Sequence, residues 1–400
     1  MLKPVLFAAA LLAAGPVTAK EPPLPAGLRL DRVVLMMRHG VRPPTKSPPM
    51  PAGTASAPWP SWPVEPGYLT PHGRAAVGQV GTYDRASWIA AGLLPRTGCA
   101  RLRIVADSDQ RTIETARAYV VALAPGCDVA IEHKPQDVPD PLFAPLDQPG
   151  AAFDPAAARA SVLADAGGAQ GIAAEEARLK PLLARLDAVL CAPPASACGV
   201  ARAPTALAPA ESGKRPKLTG ALDRASTAAQ ILLLEYADGK PMAEVGWGRV
   251  TAAEIGRFAE FHATEFRLLA RPRYVAKANL SLLTPLMIGA LTGEGGTPVT
   301  MIAGHDTNVA SLGGLLGVHW HVPGLAADDP APGGAIVLER LVDARGHRFV
   351  RALYRSQTLD QIRALAPATA YVAVLPIAGC SARGVVGLCT EADFVKALTR

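Results

Sequence analysis

"DRVVLMMRHGVRPPTK", residues 31–46, decides the fold. In its first half Val33, Leu35 and Met37 fall on one face of an extended chain, and Val34 and Met36 on the other. A strand apolar on both faces belongs in the middle of a sheet covered on both sides, the situation of α/β proteins. The second half turns cationic: Arg38, His39 and Arg42 stand where the strand ends, with Thr45 and Lys46 behind them. Open α/β sheets bind ligands in the crevice beyond the C-terminal ends of their strands, so this cluster marks a candidate site.

Two later stretches repeat the pattern. "RLRIVADSDQRTIETARAYVVALAPG" (101–126) and "PVTMIAGHDTNVASLGGLLG" (298–317) each read as a buried strand, a polar turn and a helix. They deliver Asp109 to Arg111 and His305-Asp306 just past strand ends, so three clusters can face one pocket. Thr70-Pro71 opens a helix, with a capping hydroxyl followed by proline. "GAIVLERLV" (334–342) and "HRFVRALYRSQ" (347–357) flank "DARG" as an antiparallel hairpin, and a closing helix begins near Thr390.

Between these pieces the chain changes character. From about 150 to 275 helical periodicity dominates: "EEARLKPLLARLDAVL" (175–190), then Leu218, Leu222, Ala225, Ala229, Leu232 and Tyr236 at three- and four-residue steps. The expected organisation is an α/β domain from 20–148 and 276–400, interrupted by a helical domain at 149–275. Pro, Ala and Ser crowd residues 194–217, which read as an exposed connection; "SGKR" within it lacks the residues of a phosphate loop. The Pro- and Trp-containing stretch at 43–68 is either packing or a rim over the site.

Composition narrows the function. The net charge is +6, but Lys and Arg are scattered and aromatic residues make up only 5%, which excludes a typical nucleic-acid surface and suits a small anionic ligand. Residues 1–19 have the build of an export signal: Lys3, the apolar run "VLFAAALLAAG", and "VTA" ending at Ala19. That run is shorter than the roughly 20 residues of a membrane span, so the processed chain is expected to be periplasmic or secreted, with no membrane partner. Cys99, Cys127, Cys191, Cys198, Cys380 and Cys389 form an even set without a CxxC, which favours disulfides over metal ligation. Six cysteines allow fifteen pairings, of which neighbour with neighbour is the simplest.

The pocket's chemistry follows from its charges. Arg38, Arg42 and Arg111 around His39 and His305 fit a multiply charged anion, and guanidinium forks match phosphate oxygens in pairs. One nitrogen of a neutral His39 can attack phosphorus while the other is held by a hydrogen bond, and the arginines disfavour the protonated ring. Asp306 can protonate the leaving oxygen, with His305 and the arginines neutralising charge in the transition state.

"RHGVRPPT" resembles the RHGxRxPT signature of the histidine acid phosphatases, and "HDTN" at 305–308 resembles their distal motif. The likeness continues through "WPSWPVEPGYLTPHG", "ADSDQRT" and "EVGWGRV" and is closest to the bacterial periplasmic branch of phytases and glucose-1-phosphatases. It implies a mixed central sheet with helices on both faces, as in phosphoglycerate mutase, and a smaller inserted helical domain capping the site. It further implies His39 as the residue phosphorylated, Asp306 as proton donor, and Arg38, Arg42, Arg111 and His305 as phosphate-binding residues, with Thr45 beside them. No cofactor and no metal are expected, and the chain is expected to act as a monomer on a small phosphate monoester without nucleic acid. The three neighbour disulfides recur in the branch, whereas a fourth bridge that ties down the C-terminus in some relatives has no cysteines here.

Substrate choice is read from smaller signs. Thr307 is the phytase form of the distal motif, where glucose-1-phosphatases carry serine. Local alignment sets Asn279 or Lys277 at a substrate-binding arginine and Gln230 at a pocket glutamate, with Lys46, Lys277 and His262 as compensating rim residues. The expectation is a phytase-like acid phosphatase; the alternatives are a glucose-1-phosphatase or broad sugar-phosphate phosphatase, and a catalytically silent phosphate-ester binding protein. His72 is read as a surface residue, and "HWH" at 319–321 as a loop after a helix.

Overall fold

The protein is described by a computed structural model covering residues 21–147, 153–192, 197–367 and 369–399. The export segment 1–19 and the expected boundary at 148/149 lie outside the described residues. In chain order the elements are β1 (Leu28–Arg38), α1 (Pro71–Ala90), β2 (Leu102–Ala106), α2 (Gln110–Leu123) and β3 (Ile131–Glu132). The helical stretch follows: α3 (Pro155–Ala166), α4 (Gly168–Leu190), the short strands β4 (Ala206–Leu207) and β5 (Leu218–Thr219), α5 (Ala221–Ala237), α6 (Ala252–Leu269), α7 (Arg273–Asn279) and α8 (Leu283–Thr292). The chain then returns to the sheet with β6 (Val299–Gly304), α9 (Asp306–Leu316), β7 (Ala335–Asp343), β8 (Arg348–Ser356), α10 (Leu359–Arg363), β9 (Tyr371–Leu375), β10 (Cys389–Thr390) and α11 (Glu391–Thr399).

The sheet is mixed, in the order β10-β8-β7-β1-β6-β2-β3, with β9 also on β8. β1 runs parallel to β6, which runs parallel to β2, while β7 joins β1 antiparallel from the other side. Three strands therefore end side by side, and their C-terminal turns carry the three polar clusters. β1 is central, as its double-sided apolar pattern demands. Val33, Leu35 and Met37 pack with Val77 and Val80 of α1 and Ile113 and Tyr119 of α2, all buried. Val34 and Met36 face the other layer, with Val309 and Leu312 of α9 and helices of the inserted stretch. Burying each such side chain stabilises the fold by about 1.5–3 kcal/mol.

The helical stretch shares that second core rather than building a separate one: Leu186, Val189, Leu232 and Phe258 belong to the same cluster as Ile302 and Ile336. The expected boundary at 275/276 falls inside α7, and helices continue to Thr292 before the chain re-enters the sheet. The 335–356 hairpin pairs as expected, Val342 opposite Arg348. At the other end of α1, Thr70 accepts from Gly73 N at 2.9 Å with Pro71 at the first helical position. Such a cap typically contributes about 1 kcal/mol.

All three disulfides join sequence neighbours: Cys99–Cys127, Cys191–Cys198 and Cys380–Cys389. Without a fourth bridge, the C-terminal helix is tied down by packing: Phe394 and Leu398 are buried, and Thr390 accepts from Asp393 N at 3.1 Å. Among the described residues no single helix is long and apolar enough to cross a membrane; α7 and α8 pass such a test only as a pair bent by 75°.

Candidate active site

The turn after β1 is clamped on both sides. Arg38 N donates to Gly334 O and His39 N to Gly304 O, at 2.9 and 3.0 Å, while Gly333 N donates to His39 O at 3.1 Å. Gly40 N reaches Thr115 Oγ1 of α2, and a Cβ at Gly40 would lie 2.8 Å from the Val77 side chain, so only glycine lets α1 come this close. His39 is thereby fixed from three elements and almost fully buried.

Its ring has a defined polarity. Nδ1 lies 2.8 Å from Gly40 O and donates to it, which leaves Nε2 without a hydrogen and accepting a long bond from Arg42 Nε at 3.5 Å. Burial, then Arg42, Arg111, Arg38 and His305, push the imidazole well below its ordinary pKa of 6.5. The ring stays neutral and its unprotonated nitrogen is a nucleophile.

Around it stand the cations. Arg42 is itself lowered to about 9, by burial and then by Arg111. Burial is the larger cause and the neighbouring cations add to it, and an anion bound beside Arg42 would offset both. Arg111, in the first turn of α2, donates to Asp109 Oδ2 at 2.6 Å. His305 caps α9: its N–H donates to Asn308 Oδ1, and its Nε2 donates to Asp107 Oδ2 at 2.6 Å. The His39 and His305 rings meet edge to face with centroids 5.6 Å apart. Among the described residues, Asp107, Asp109 and His305 are the group whose ligand atoms could converge on a metal; His305 and Arg111 already engage both carboxylates.

Asp306 opens α9, its Oδ1 accepting from Thr307 N and its Oδ2 3.0 Å from Arg38 Nη2. Burial raises its pKa, but Arg38, His262, His39 and Arg42 outweigh burial and hold the carboxyl far below the carboxylate range. Arg38 is buried between Asp306, Pro330 O at 2.6 Å and Gln230 Oε1 at 3.1 Å.

Arg38, Arg42 and Asp306 line a cleft of about 810 Å³ between the strand ends and helices α5 and α6, while His39, Arg111 and His305 are not part of its lining. Arg38, Arg42, Thr45, Lys46, Gln230, His262 and Asp306 all face it. Thr45 also shares a small side hollow with Arg111. Two expected rim residues do not reach the cleft. Asn279 is buried and donates to Ser311 Oγ of α9 at 3.0 Å, and Lys277 on the same helix reaches Thr399 O at 3.1 Å. The short α7 lies along α9 and spends both side chains on the fold.

In their place come Lys217 and Arg224, one beside β5 and the other in the first turn of α5, with Asp223, Ser226 and Glu265 among them. Lys217 stands at the end of the stretch read as a loose connection; the β4–β5 pair, Leu207 opposite Leu218, pins it at the cleft edge. Arg215 from the same stretch lies 3.4 Å from Thr307 Oγ1 and pairs with Asp147. The Trp loop both packs and borders: Trp59 and Trp247 are 5.0 Å apart, and the loop lines a hollow sharing Pro44, Lys46 and Ile231 with the cleft. His72 is half-buried and donates to Ile362 O at 2.9 Å, not the free surface residue expected. His319 and His321 sit in the loop after α9. A larger hollow of about 870 Å³ behind α6 contains His321 but none of the groups that line the cleft; there Arg178 is paired with Glu175 and Glu260.

Comparison with known proteins identifies relatives of the chain and of its fold. The family described as "Histidine phosphatase superfamily (branch 2)" matches residues 29–176 and 269–355. The chain is 35% identical to phytase AppA of Escherichia coli strain K12, covering 92% of this chain and 91% of that protein. It is 27% identical to a glucose-1-phosphatase of Providencia rettgeri over 84% and 83%. Among solved structures, Hafnia alvei phytase with tartrate superposes with a TM-score of 0.86 at 35% identity, over 94% of this chain and 98% of that one. The same enzyme with myo-inositol hexakis sulphate gives 0.83 at 34%, over the same shares.

Proposed function

Because the chain belongs to the histidine phosphatase superfamily, branch 2, and so hydrolyses phosphate monoesters, we propose that it does so through a phosphohistidine on His39, with a phytase-like preference for multiply phosphorylated substrates. The observation that carries the mechanism is the unprotonated Nε2 of His39 within a cage of arginines at the ends of three strands. An incoming phosphate dianion replaces the mutual repulsion of Arg38, Arg42 and Arg111 with paired hydrogen bonds. Nε2 attacks phosphorus in line as the ester P–O bond breaks, and Asp306 gives its proton to the leaving oxygen. Water then attacks the phosphohistidine, losing a proton to Asp306, and inorganic phosphate leaves.

A preference for several phosphates rests on the cleft's outer cations. Lys46, Lys217 and Arg224 stand beyond the reacting centre, where a monophosphate needs nothing but a polyphosphate has further groups to hold. Gln230 and His262 complete that wall. The helical stretch serves as a cap over an α/β body, and three disulfides fit export to an oxidising compartment, the periplasm, after removal of residues 1–19.

The test is phosphate release at about pH 4.5, an acid setting chosen for Asp306, with a chelator present, comparing phytate, glucose 1-phosphate and 4-nitrophenyl phosphate. His39→Ala must be inactive on all three, and acid quenching of the wild type must trap a labelled histidine. Preference for glucose 1-phosphate over phytate would replace the phytase reading while leaving the chemistry intact.

A further inference from the structure

The proton that Asp306 gives away has to come from somewhere, because the ion pair with Arg38 holds that carboxyl ionised. An arginine cannot supply it. The neighbour that can is His262 of α6, whose Nε2 lies 3.8 Å from Asp306 Oδ2, the oxygen that faces Arg38. Its other nitrogen is committed: Nδ1 lies 2.6 Å from Oδ1 of Asp329. Asp329 is buried, and its Oδ2 has no partner of its own. A carboxylate can only accept, so Nδ1 carries the hydrogen of that bond and Nε2 is the ring nitrogen left to exchange a proton with Asp306.

The support for this pair is unusually firm. Trp320 Nε1 donates to Asp329 O at 3.1 Å, and the Trp320 indole stacks on Tyr354 at 4.5 Å. Tyr354 takes Ala331 N at 3.0 Å, and Pro330 O, between the two, holds Arg38 Nη1. One turn, Asp329-Pro330-Ala331, therefore positions both the arginine and the histidine that flank Asp306. The Phe266 ring lies against His262 with centroids 4.2 Å apart and shields it from bulk water. The charged or titratable groups facing His262 are Asp329 from that turn, Asp306 from α9 and Glu265 from its own helix, with Arg38 from β1 beyond Asp306.

We infer that Asp329 and His262 are positioning residues forming a proton reservoir for Asp306, an inference that rests on the phosphohistidine reading above. When substrate phosphate engages Arg38, the proton on His262 Nε2 passes to Asp306 Oδ2, and from there to the leaving oxygen as its bond to phosphorus breaks. His262 is left neutral, with Nδ1–H still donating to Asp329. In the second step water bonds to phosphorus, the phosphorus–nitrogen bond of His39 breaks, and the water's proton returns through Asp306 to His262. No proton need be exchanged with solvent between the two half-reactions.

Leaving groups separate this role from a structural one. An alkyl phosphate such as glycerol phosphate needs its leaving oxygen protonated, whereas 4-nitrophenolate departs without a proton. Asp329→Asn keeps an acceptor for Nδ1–H but removes the charge, and His262→Gln removes the reservoir. For both variants kcat/KM on glycerol phosphate should fall about 100-fold, the lower end of general acid catalysis, and in Asp329→Asn, which does not line the cleft, that on 4-nitrophenyl phosphate should change by less than about threefold. The alkaline limb for glycerol phosphate should also move to lower pH in Asp329→Asn. Equal loss on both esters, or no loss on either, overturns the relay. Full activity of Asp329→Asn on the aryl ester shows that the fold and His39 are intact; an inactive wild type or an untrappable phosphohistidine refutes the underlying mechanism instead.

Discussion

Glu235 sets a measurable link between pH and stability. It lies on α5, completely buried, with Oε2 accepting from Gly246 N at 3.1 Å and Oε1 without a partner. Burial pushes its pKa from 4.5 to about 7, against the smaller opposing effects of the Gly246 N–H and Lys240. The folded protein therefore holds this proton more tightly than the unfolded chain does. Its contribution is fully present below about pH 4.5 and is lost as the pH rises through about 7. At about 1.4 kcal/mol per pH unit, the gap amounts to about 3 kcal/mol. Glu235→Gln keeps an acceptor for Gly246 and stays neutral at every pH. Urea unfolding of both proteins at about pH 5 and pH 8 should show the wild type losing about 3 kcal/mol more than the variant over that interval. If the two stabilities run parallel with pH, Glu235 is not protonated in the fold and the reasoning fails.

Other outcomes follow from the site. Lys217→Ala and Lys46→Ala should each raise KM for phytate several-fold, about 1 kcal/mol per lost charge-assisted contact, while leaving KM for 4-nitrophenyl phosphate unchanged; equal effects on both would remove these lysines from substrate recognition. Asn279→Ala should leave KM for phytate untouched yet cost about 1 kcal/mol in denaturant unfolding, because it removes a buried hydrogen bond to Ser311 Oγ, which keeps its own donation to Ala270 O. A chiral phosphate ester should be turned over, in the presence of an acceptor alcohol, with net retention at phosphorus; inversion rules out the covalent route. Since His39 is held well below 6.5, the acid side of the kcat/KM profile should not break near 6.5, and a break there in wild type that is absent from a substrate-only titration would contradict the neutral nucleophile.

The sheet was legible because two independent signals coincide in β1, β2 and β6: apolar runs on both faces, and a polar residue at the point where each run stops. The residues clustered beyond the strand ends are legible for the same reason, since a strand's end fixes where the next side chains go. The outer wall of the cleft has no such marker. Asn279 and Lys277 were reached by counting along a seven-residue helix, too short for periodicity to say which face turns inward, and that face packs on α9. Lys217 was hidden by composition: Pro, Ala and Ser suggest a free connection, and the two-residue pairing of β4 with β5 that holds it is below what alternation can reveal. Asp329 lies in a turn that carries no regular element, and only the fold brings it to His262 across 67 residues.

The cations that ready His39 also silence Asp306, and the two effects have opposite consequences for catalysis. Arg38 and Arg42 depress the imidazole, which frees the nucleophile at once. The same two arginines depress the carboxyl, which makes it useless as an acid. In the proposed mechanism a phosphate dianion resolves the conflict, because its oxygens pair with the arginines that otherwise hold Asp306 ionised. With their charge engaged by phosphate oxygens, the carboxyl keeps burial, which raises its pKa, and His262, which can protonate it. His39, already neutral, needs no such change. Acid competence therefore arises with substrate bound, so the basic limb of kcat should lie at higher pH than that of kcat/KM. Coinciding limbs would mean that Asp306 carries its proton before the substrate arrives, contrary to the ion pair with Arg38 at 3.0 Å.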